Sequence, residues 1–239
     1  CVCISGGKDS FLQAKLLQEL KRHSKYNFDL TYLVMNPGYT EENLQKIREN
    51  ACTLNIPIII KDSNIFEVIK DNSSPCFLCA RMRRGCLYSM AEELGCNKIA
   101  LGHHFNDVIE TILMGMFYGS QMQTMMPKVK STSHPGMELI RPLYFVREED
   151  IIAWKDKNDL DFIQCACKFT ETIKLEQDNA DKLSSKRQKI KELIASLKQD
   201  DPQIEYNIFR SVENVNLSTI IEYKDKEGIS HNFKDDYDK

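Results

Sequence analysis

The hexapeptide Ser5-Gly6-Gly7-Lys8-Asp9-Ser10 joins a short apolar run, residues 1–4, to an amphipathic segment with leucines at 12, 16 and 20. The apolar run predicts a strand, and the leucines four residues apart predict a helix. Two glycines let the backbone approach a ligand closely, and the N–H groups that begin the helix suit a phosphate or pyrophosphate. The stretch differs from a Walker loop, which has glycine where this chain has Val2 and Ser or Thr where it has Asp9.

Strand-like and helix-like segments alternate after this loop. The predicted strands are 2–4, 30–35, 57–61, 98–102 and 137–145, and the predicted helices are 10–23, 41–54, 79–94, 106–118 and 148–157. This alternation predicts an α/β fold with a mostly parallel, doubly wound sheet. The run Ile58-Ile59-Ile60 predicts a strand that is buried on both faces.

Ligands of such folds bind beyond the carboxyl ends of the strands. Three candidate segments follow predicted strands: residues 5–10, residues 102–107 and the stretch after Lys61. The sequence therefore predicts that they meet at one edge of the sheet.

The pattern changes after Lys168. Residues 172–198 are charged and helical in period, residues 204–215 predict another helix, and the tail from Glu222 is polar and expected to fray. We therefore expect two units: an α/β domain at residues 1–168 that carries the cysteine site, and a helical extension with a polar tail at residues 169–239.

Composition excludes little beyond a membrane span. The chain has 239 residues, 42% of them hydrophobic and 28% charged, and no apolar run approaches a membrane-spanning length. A net charge of −3 gives no global argument for nucleic acid, so a basic surface must be local. Because the chain begins with a cysteine almost at the glycine loop, we expect residues upstream of it. The local basic clusters are Arg81/Arg83/Arg84, Lys128/Lys130 and Lys186/Arg187/Lys189/Lys191, each of which also suits a solvated helix face.

The nine cysteines are odd in number and follow no export signal, so they do not predict a disulfide framework. Cys76 and Cys79 form a C-x₂-C pair at a predicted helix start, where thiolates form more easily. Cys165 and Cys167 form a second, distant pair. From spacing alone, structural zinc, a redox dithiol and an iron–sulfur cluster all stay open, although C-x-C favours one ligand from the second pair.

The glycine loop resembles the signature of the PP-loop ATP pyrophosphatases, also described as adenine nucleotide alpha hydrolase-like proteins. Residues 76–88, Cys-Phe-Leu-Cys-Ala-Arg-Met-Arg-Arg-Gly-Cys-Leu-Tyr, resemble the cysteine motif of one of their families, the tRNA 2-thiocytidine synthetases of the TtcA type. The segment 102–107, Gly-His-His-Phe-Asn-Asp, is similar to a second motif of that family, and residues 116–119 and 141–143 also fit. The resemblance runs from about Val2 to Cys167.

The resemblance implies an enzyme that cleaves ATP between its α- and β-phosphates, with Mg²⁺, and places AMP on the C2 oxygen of an anticodon-loop cytidine in tRNA. It implies a [4Fe-4S] cluster on Cys76, Cys79 and Cys165, with Cys167 in reserve, whose open iron accepts hydrosulfide. The resemblance also implies a sulfur donor, either a cysteine desulfurase or free sulfide. The resemblance also implies a cytoplasmic protein; a homodimer is one possible assembly, which no feature of the sequence requires.

The same resemblance implies roles for individual residues. Asp9 is expected beside the reacting phosphates and magnesium, Asp107 beside the adenylated base as a general base, and Arg83 near the cluster and the α-phosphate or RNA. The expected catalytic residues are thus Asp9, Asp107 and Arg83. The expected ATP-binding residues are Ser5, Gly6, Gly7, Lys8, Asp9, Ser10, Gly102 and His103.

Besides the family's upstream segment, which this sequence does not include, two features depart from the family pattern. Asn106 stands where the family has Asp, which removes a carboxylate expected beside the nucleotide, and Cys165-Ala-Cys167 replaces Cys-x-x-Cys. Two other functions therefore stay open. One is a PP-loop enzyme that adenylates another acceptor, as in lysidine formation or thiolation of a different nucleotide or small molecule; the other is a non-catalytic module that binds nucleotide and zinc.

Overall fold

The structure is a computed structural model that describes residues 1–63, residue 65, residues 75–163 and residues 180–237, with only the backbone described at 75–81, 180–185 and 236. A six-stranded sheet forms its centre, in the order β3-β2-β1-β4-β6-β5. The strands are β1 (Val2–Cys3), β2 (Tyr32–Asn36), β3 (Ile58–Asp62), β4 (Lys98–Ala100), β5 (Lys128–Lys130) and β6 (Glu138–Ile140).

Helices connect the strands and continue after the sheet. They are α1 (Lys8–His23), α2 (Glu41–Thr53), α3 (Pro75–Glu93), α4 (Phe105–Gly119), α5 (Glu148–Lys157), α6 (Ala180–Asp200) and α7 (Ile204–Ser211). A short 3₁₀ turn (Leu217–Thr219), a two-stranded sheet of β7 (Glu222–Lys224) and β8 (Ser230–Asn232), and α8 (Lys234–Tyr237) end the described chain. None of the helices in these ranges has the length and apolar character that crossing a bilayer requires.

The order of the strands places a switch point between β1 and β4. Strand β1 pairs in parallel with β2 on one side and with β4 on the other, and β3 and β6 extend the parallel part outwards. The chain winds from β1 to β3 and then returns to the opposite side of β1. In such folds the crevice for a ligand opens where the winding reverses, here at the carboxyl ends of β1 and β4.

Alternating side chains of the parallel strands supply two apolar layers. Val2 and Val34 pack with residues of α1 and α2, whereas Cys3 and Ile99 pack against the side of α3 that carries Tyr88. Because successive residues of a strand point to opposite faces, helices cover both sides of the sheet. The predicted mostly parallel, doubly wound sheet is confirmed.

At the margins of the sheet two expectations fail and one strand was not predicted. The Ile58–Ile60 run forms the edge strand β3, so Ile59 is 40% exposed and the strand is not buried on both faces. The predicted strand 137–145 is ordered as a strand only at Glu138–Ile140, and Arg141–Phe145 turns towards α5 instead. Strand β5, which pairs antiparallel with β6, was not predicted because its sequence is two lysines around one valine.

The C-terminal helices pack on α4. Ile190 and Ile194 of α6 and Phe209 of α7 are buried in one cluster with Val108 and Ile112 of α4. This packing places part of α6 beside the sheet edge where β1 and β4 end. The tail from Glu222, expected to fray, forms the β7–β8 hairpin and α8.

Candidate active site

A cavity of about 380 Å³ opens at the carboxyl ends of β1 and β4. Its wall is built from the loop after β1, the start of α1, the end of β4, the start of α4 and the middle of α3. Of the residues that the sequence singles out, Ser5, Asp9, Ser10, Arg83, Gly102, His103 and Asp107 line this cavity. Its volume lies within the usual range for small-molecule sites, roughly 300–1,000 Å³.

The loop after β1 is folded tightly around the Ser10 hydroxyl. Ser10 Oγ donates to the Gly7 carbonyl at 2.8 Å and accepts from the Ser5 N–H at 3.2 Å. Ser10 is also buried, at 4% exposure. Because its single proton is directed at Gly7, the Ser10 hydroxyl in this arrangement shapes the loop, and the N–H groups of the first turn of α1 are the donors left for an anion.

Gly102 lets the end of β4 approach the start of α1. A Cβ at this position would lie 3.1 Å from the Ser10 nitrogen and 3.2 Å from the Asp9 carbonyl carbon, both backbone atoms. Such contacts are tighter than ordinary van der Waals packing, so a side chain here would push the loop away from β4. Glycine at 102 thus keeps the two candidate segments adjacent.

His104 lies between the two candidate carboxylates. Its Nε2 is 3.9 Å from Asp9 Oδ1 and 3.5 Å from Asp107 Oδ2, and the residue is 4% exposed. Asp107 Oδ2 also accepts the His104 backbone N–H at 3.1 Å, which holds the carboxylate at the N-terminus of α4. The buried imidazole therefore lies between the carboxylates of Asp9 and Asp107.

Lys8 is held by two carboxylates at the mouth of the loop. Its Nζ lies 3.0 Å from Asp9 Oδ1 and 3.0 Å from Glu148 Oε1, the first residue of α5. Burial works to lower the pKa of Lys8, but hydrogen bonds and charges from Asp9 and Glu148 outweigh it and raise the pKa. Lys8 is thus a fixed cation beside the loop, although it does not line the cavity as Asp9 does.

Helix α3 connects the cysteine motif to the cavity. Cys76 and Cys79 lie in its first two turns, and Arg83, Arg84 and Leu87 further along the same helix line the cavity. Cys165 and Cys167 lie outside the described residues, as do the side chains of Cys76 and Cys79. The predicted convergence of these thiolates therefore stays a prediction.

His103 lies among arginines and one aspartate. Burial lowers the pKa of His103 to about 4, and the guanidinium groups of Arg141, Arg187 and Arg84 act in the same direction while Asp107 opposes it. His103 is therefore neutral near pH 7 and offers a hydrogen-bonding ring without a charge. The guanidinium groups of Arg83 and Arg84 on the cavity wall, with the neutral imidazole of His103, can pair with the phosphates of a nucleotide.

This shift predicts a pH dependence of stability. Folded His103 stays neutral down to about pH 4, whereas an unfolded histidine takes up a proton near pH 6.5. The unfolded chain binds more protons in this window, so the free energy of unfolding should fall as the pH falls. His103→Asn should reduce that fall when urea denaturation is compared at about pH 7 and about pH 5. The matched change His23→Asn, at an exposed histidine, should leave the pH dependence of stability as it is in the wild type. Equal slopes of unfolding free energy against pH in the wild type and both variants would contradict the prediction.

Asn106, the departure from the family pattern, faces away from the cavity wall. Its Oδ1 accepts the Glu148 N–H at 2.9 Å and its Nδ2 donates to Glu205 Oε1 at 3.3 Å. Glu205 is 4% exposed and also pairs with Arg147 at 2.8 Å and Lys198 at 2.9 Å. An amide fits between an N–H donor and a carboxylate acceptor, whereas a second carboxylate would face Glu205 with no proton to donate.

Asn106→Asp should therefore destabilise the fold. We expect a loss of about 1–3 kcal/mol of unfolding free energy, the usual cost of leaving a buried polar group without its partner. Urea denaturation measures it, and the second change Glu205→Gln should recover part of the loss by supplying a donor. Asn214→Asp, the same change at an exposed position, is the control; an Asn106→Asp protein as stable as this control would show the prediction wrong.

Three charged residues of the site carried no sequence signal of their own. Glu148 is one of three acids in the first turn of α5. Acids at this position stabilise the helix dipole in any protein, so they do not indicate a functional site. Arg187 and Lys191 appear as members of a basic cluster. Arg187 in fact pairs with Asp107 at 3.1 Å, and Lys191 lies 3.4 Å from Glu148. Spacing cannot reveal these pairs, because their members are about 40 to 80 residues apart in sequence.

Comparison with known proteins agrees with this geometry. The sequence profile described as the PP-loop domain matches residues 1–171, so the loop after β1 is that of a PP-loop protein. The tRNA-cytidine(32) 2-sulfurtransferase of Vibrio parahaemolyticus is 35% identical over 226 residues, which cover 91% of this chain and 71% of that protein. The protein of the same name from Coxiella burnetii is 34% identical over 229 residues, 93% of this chain and 84% of that protein. The chain therefore belongs to the family of tRNA-cytidine(32) 2-sulfurtransferases.

A solved structure supports the fold. The U34-tRNA thiolase NcsA from Methanococcus maripaludis, solved with its [4Fe-4S] cluster, superposes with a TM-score of 0.66 over 91% of this chain and 74% of that chain. At 22% sequence identity this likeness concerns the fold alone.

Proposed function

We propose that this chain is an ATP-dependent tRNA sulfurtransferase that replaces the C2 oxygen of an anticodon-loop cytidine, at position 32 as in its relatives, with sulfur. One observation carries the proposal: a single cavity is lined by the glycine loop, by Asp107 and by Arg83 of the cysteine helix. Nucleotide, acceptor base and sulfur source can therefore meet at one place. An unpaired base can be turned out of its loop into such a pocket.

ATP binds with its pyrophosphate on the loop after β1. The N–H groups at the start of α1 and the partial positive charge of that helix favour the phosphates. Lys8 sits beside the loop as a cation whose two carboxylate partners keep it charged. The residues that we assign to ATP are Ser5, Gly6, Gly7, Lys8, Asp9, Ser10, Gly102 and His103.

Adenylation makes the base oxygen a leaving group. The C2 oxygen attacks the α-phosphorus, the bond between the α- and β-phosphates breaks, and pyrophosphate departs. Asp9 presents a carboxylate to the cavity and fits a Mg²⁺ that accompanies the phosphates, since Mg²⁺ prefers oxygen ligands. Arg83 supplies a planar guanidinium that can stabilise the charge on the α-phosphate.

Sulfur replaces the adenylated oxygen in the second half of the reaction. A sulfur nucleophile adds to C2, the C2–O bond breaks, and AMP leaves with the former base oxygen. Asp107 accepts the proton that leaves sulfur as the C=S bond forms, and the His104 N–H holds its carboxylate at the start of α4, beside the cavity.

A [4Fe-4S] cluster fits the donor set of the cysteine helix. Cys76 and Cys79 lie at the N-terminus of α3, where the helix dipole favours thiolates. We assign the third thiolate to Cys165, with Cys167 as the alternative. When bound, the cluster supplies a coordination site from which sulfur is delivered.

The partners and setting complete the proposal. The sulfur comes from a cysteine desulfurase or from free sulfide, the chain works in the cytoplasm, and it acts as a homodimer or alone. We divide it into a catalytic unit at residues 1–168 and a helical extension at residues 169–239, which packs on α4 through α6 and α7.

An anaerobic assay tests this function. The purified chain with reconstituted iron and sulfide is incubated with ATP, sulfide and tRNA, and nucleosides are identified by mass spectrometry. We expect 2-thiocytidine together with one AMP per modified base, and none from a tRNA in which that cytidine is uridine. Failure to form any thionucleoside, or purification with zinc in place of iron, would refute the proposal.

A further inference from the structure

Arg187 holds one oxygen of the candidate catalytic carboxylate. Its Nη1 donates to Asp107 Oδ1 at 3.1 Å, while Asp107 Oδ2 accepts the His104 backbone N–H at 3.1 Å. Both carboxylate oxygens are thereby fixed from different places, one by the N-cap residue of α4 and one by α6. A carboxylate fixed at both oxygens has a defined orientation towards the cavity that it lines.

Helix α6 is anchored so that Arg187 and Lys191 face the site. Ile190 and Ile194 are buried against α4, at 1% and 5% exposure. Arg187 and Lys191 are one helical turn apart. Arg187 precedes Ile190 by about one turn, and Lys191 precedes Ile194 by about one turn, so the two cations form a stripe beside the buried isoleucines. The apolar packing therefore determines where the two cations sit.

The two cations complete a chain of alternating charges across the site. Arg187 lies 3.2 Å from Glu110 Oε2, and Lys191 lies 3.6 Å from Glu110 Oε1 and 3.4 Å from Glu148 Oε2. Glu148 in turn lies 3.0 Å from Lys8. Helix α6, which follows the residues matched by the PP-loop domain, thus contacts Asp107 directly and reaches Lys8 through Glu148.

The exposure of the Arg187 side chain indicates that its removal affects catalysis more than folding stability. The Arg187 side chain is 42% exposed and that of Asp107 is 20% exposed, and an ion pair between two such partly exposed groups contributes about 0–1 kcal/mol to folding. Buried Glu110 keeps Lys191 as a partner when Arg187 is removed. Losing Arg187 should therefore alter folding little while leaving Asp107 free to turn.

We propose that Arg187 is a positioning residue that orients Asp107 for proton transfer in the sulfur step, so that the C-terminal extension completes the active site. This inference rests on the proposed function. It gives α6 a role distinct from binding RNA phosphates, the role that a basic cluster on a helix would otherwise suggest.

Single-turnover and steady-state kinetics of 2-thiocytidine formation test the proposal. Arg187→Ala and Arg187→Gln should lower kcat by about 10- to 100-fold, with KM for ATP and tRNA within about threefold, because misplacement of a catalytic group acts on the chemical step. Arg187→Lys should recover part of the rate. Lys189→Ala, at an exposed position on the same helix, should behave as wild type.

A double-mutant cycle makes the test specific. In an Asp107→Asn background, Arg187→Gln should have no further effect on kcat, since a residue that acts through Asp107 has nothing left to orient. Independent effects would overturn the proposal. So would a raised KM for tRNA with unchanged kcat and a weaker salt dependence, which would make Arg187 an RNA phosphate contact. A wild-type protein that forms no thiocytidine would instead refute the proposed function.

Discussion

Asp107→Asn should lower the rate of 2-thiocytidine formation by about two to four orders of magnitude, the usual contribution of a general base. The amide cannot take up the proton that leaves sulfur. The carboxylate of Asp107 accepts hydrogen bonds from both the His104 N–H and Arg187. The amide of the variant has only one oxygen, so its N–H₂ group would face one of these two donors. Single-turnover thiolation measures the loss.

The step that Asp107 serves can be separated from adenylation. Exchange of labelled pyrophosphate into ATP in the presence of tRNA should stay within about tenfold of wild type, because the carboxylate is needed after AMP is attached. Asp150→Asn, which removes an exposed acid from the first turn of α5, is the matched control and should change neither rate. Equal loss of exchange and thiolation in Asp107→Asn would contradict the assignment and place the residue in adenylation.

Gly6→Ala should damage both the fold and ATP binding. Gly6 has φ of +93°, a conformation that costs a side chain about 1–3 kcal/mol. A Cβ there would overlap Ile163 Cδ1 and lie 2.9 Å from Ile47 Cγ1, and Ile47 is fully buried. We expect a loss of about 2–4 kcal/mol of unfolding free energy and ATP affinity at least about tenfold weaker, since the loop must move to relieve the contacts.

The same substitution at another glycine provides the control. Gly85 lies inside α3, and a Cβ there would meet nothing within 4 Å. Gly85→Ala should leave ATP binding unchanged and raise stability by about 0.5–1 kcal/mol through helix propensity. Urea denaturation and calorimetric titration with ATP compare the two variants. A Gly6→Ala protein that binds ATP normally would mean that the loop after β1 does not hold the phosphates.

The centre of the fold was predictable because local and long-range signals agree there. Each buried parallel strand is followed by a turn and an amphipathic helix, and the parallel arrangement brings the loop after β1 and the loop after β4 to one edge. The margins were not predictable from the same signals. An isoleucine run indicates burial on both faces only in a central strand, and β3 is at the edge. The two lysines of β5 give a strand no apolar pattern to detect.

The site divides in a similar way. Glycines and acids at strand ends carry a local signal, so Ser5, Asp9, Gly102 and Asp107 could be placed at the cavity from sequence. Glu148 and Arg187 could not, because their roles come from ion pairs formed across the fold by α5 and α6. The meaning of Asn106 likewise depends on Glu205, a buried acid 99 residues away.

The fate of the base oxygen tests the chemistry most directly. Cytidine labelled with ¹⁸O at C2 is placed in the anticodon loop of a tRNA and incubated anaerobically with the protein, ATP and sulfide. If the base oxygen is adenylated in the cavity, each 2-thiocytidine formed releases one AMP that carries the label, as mass spectrometry would detect. Unlabelled AMP accompanying thiocytidine would contradict the account, because the oxygen would then have left by a route that does not pass through the nucleotide.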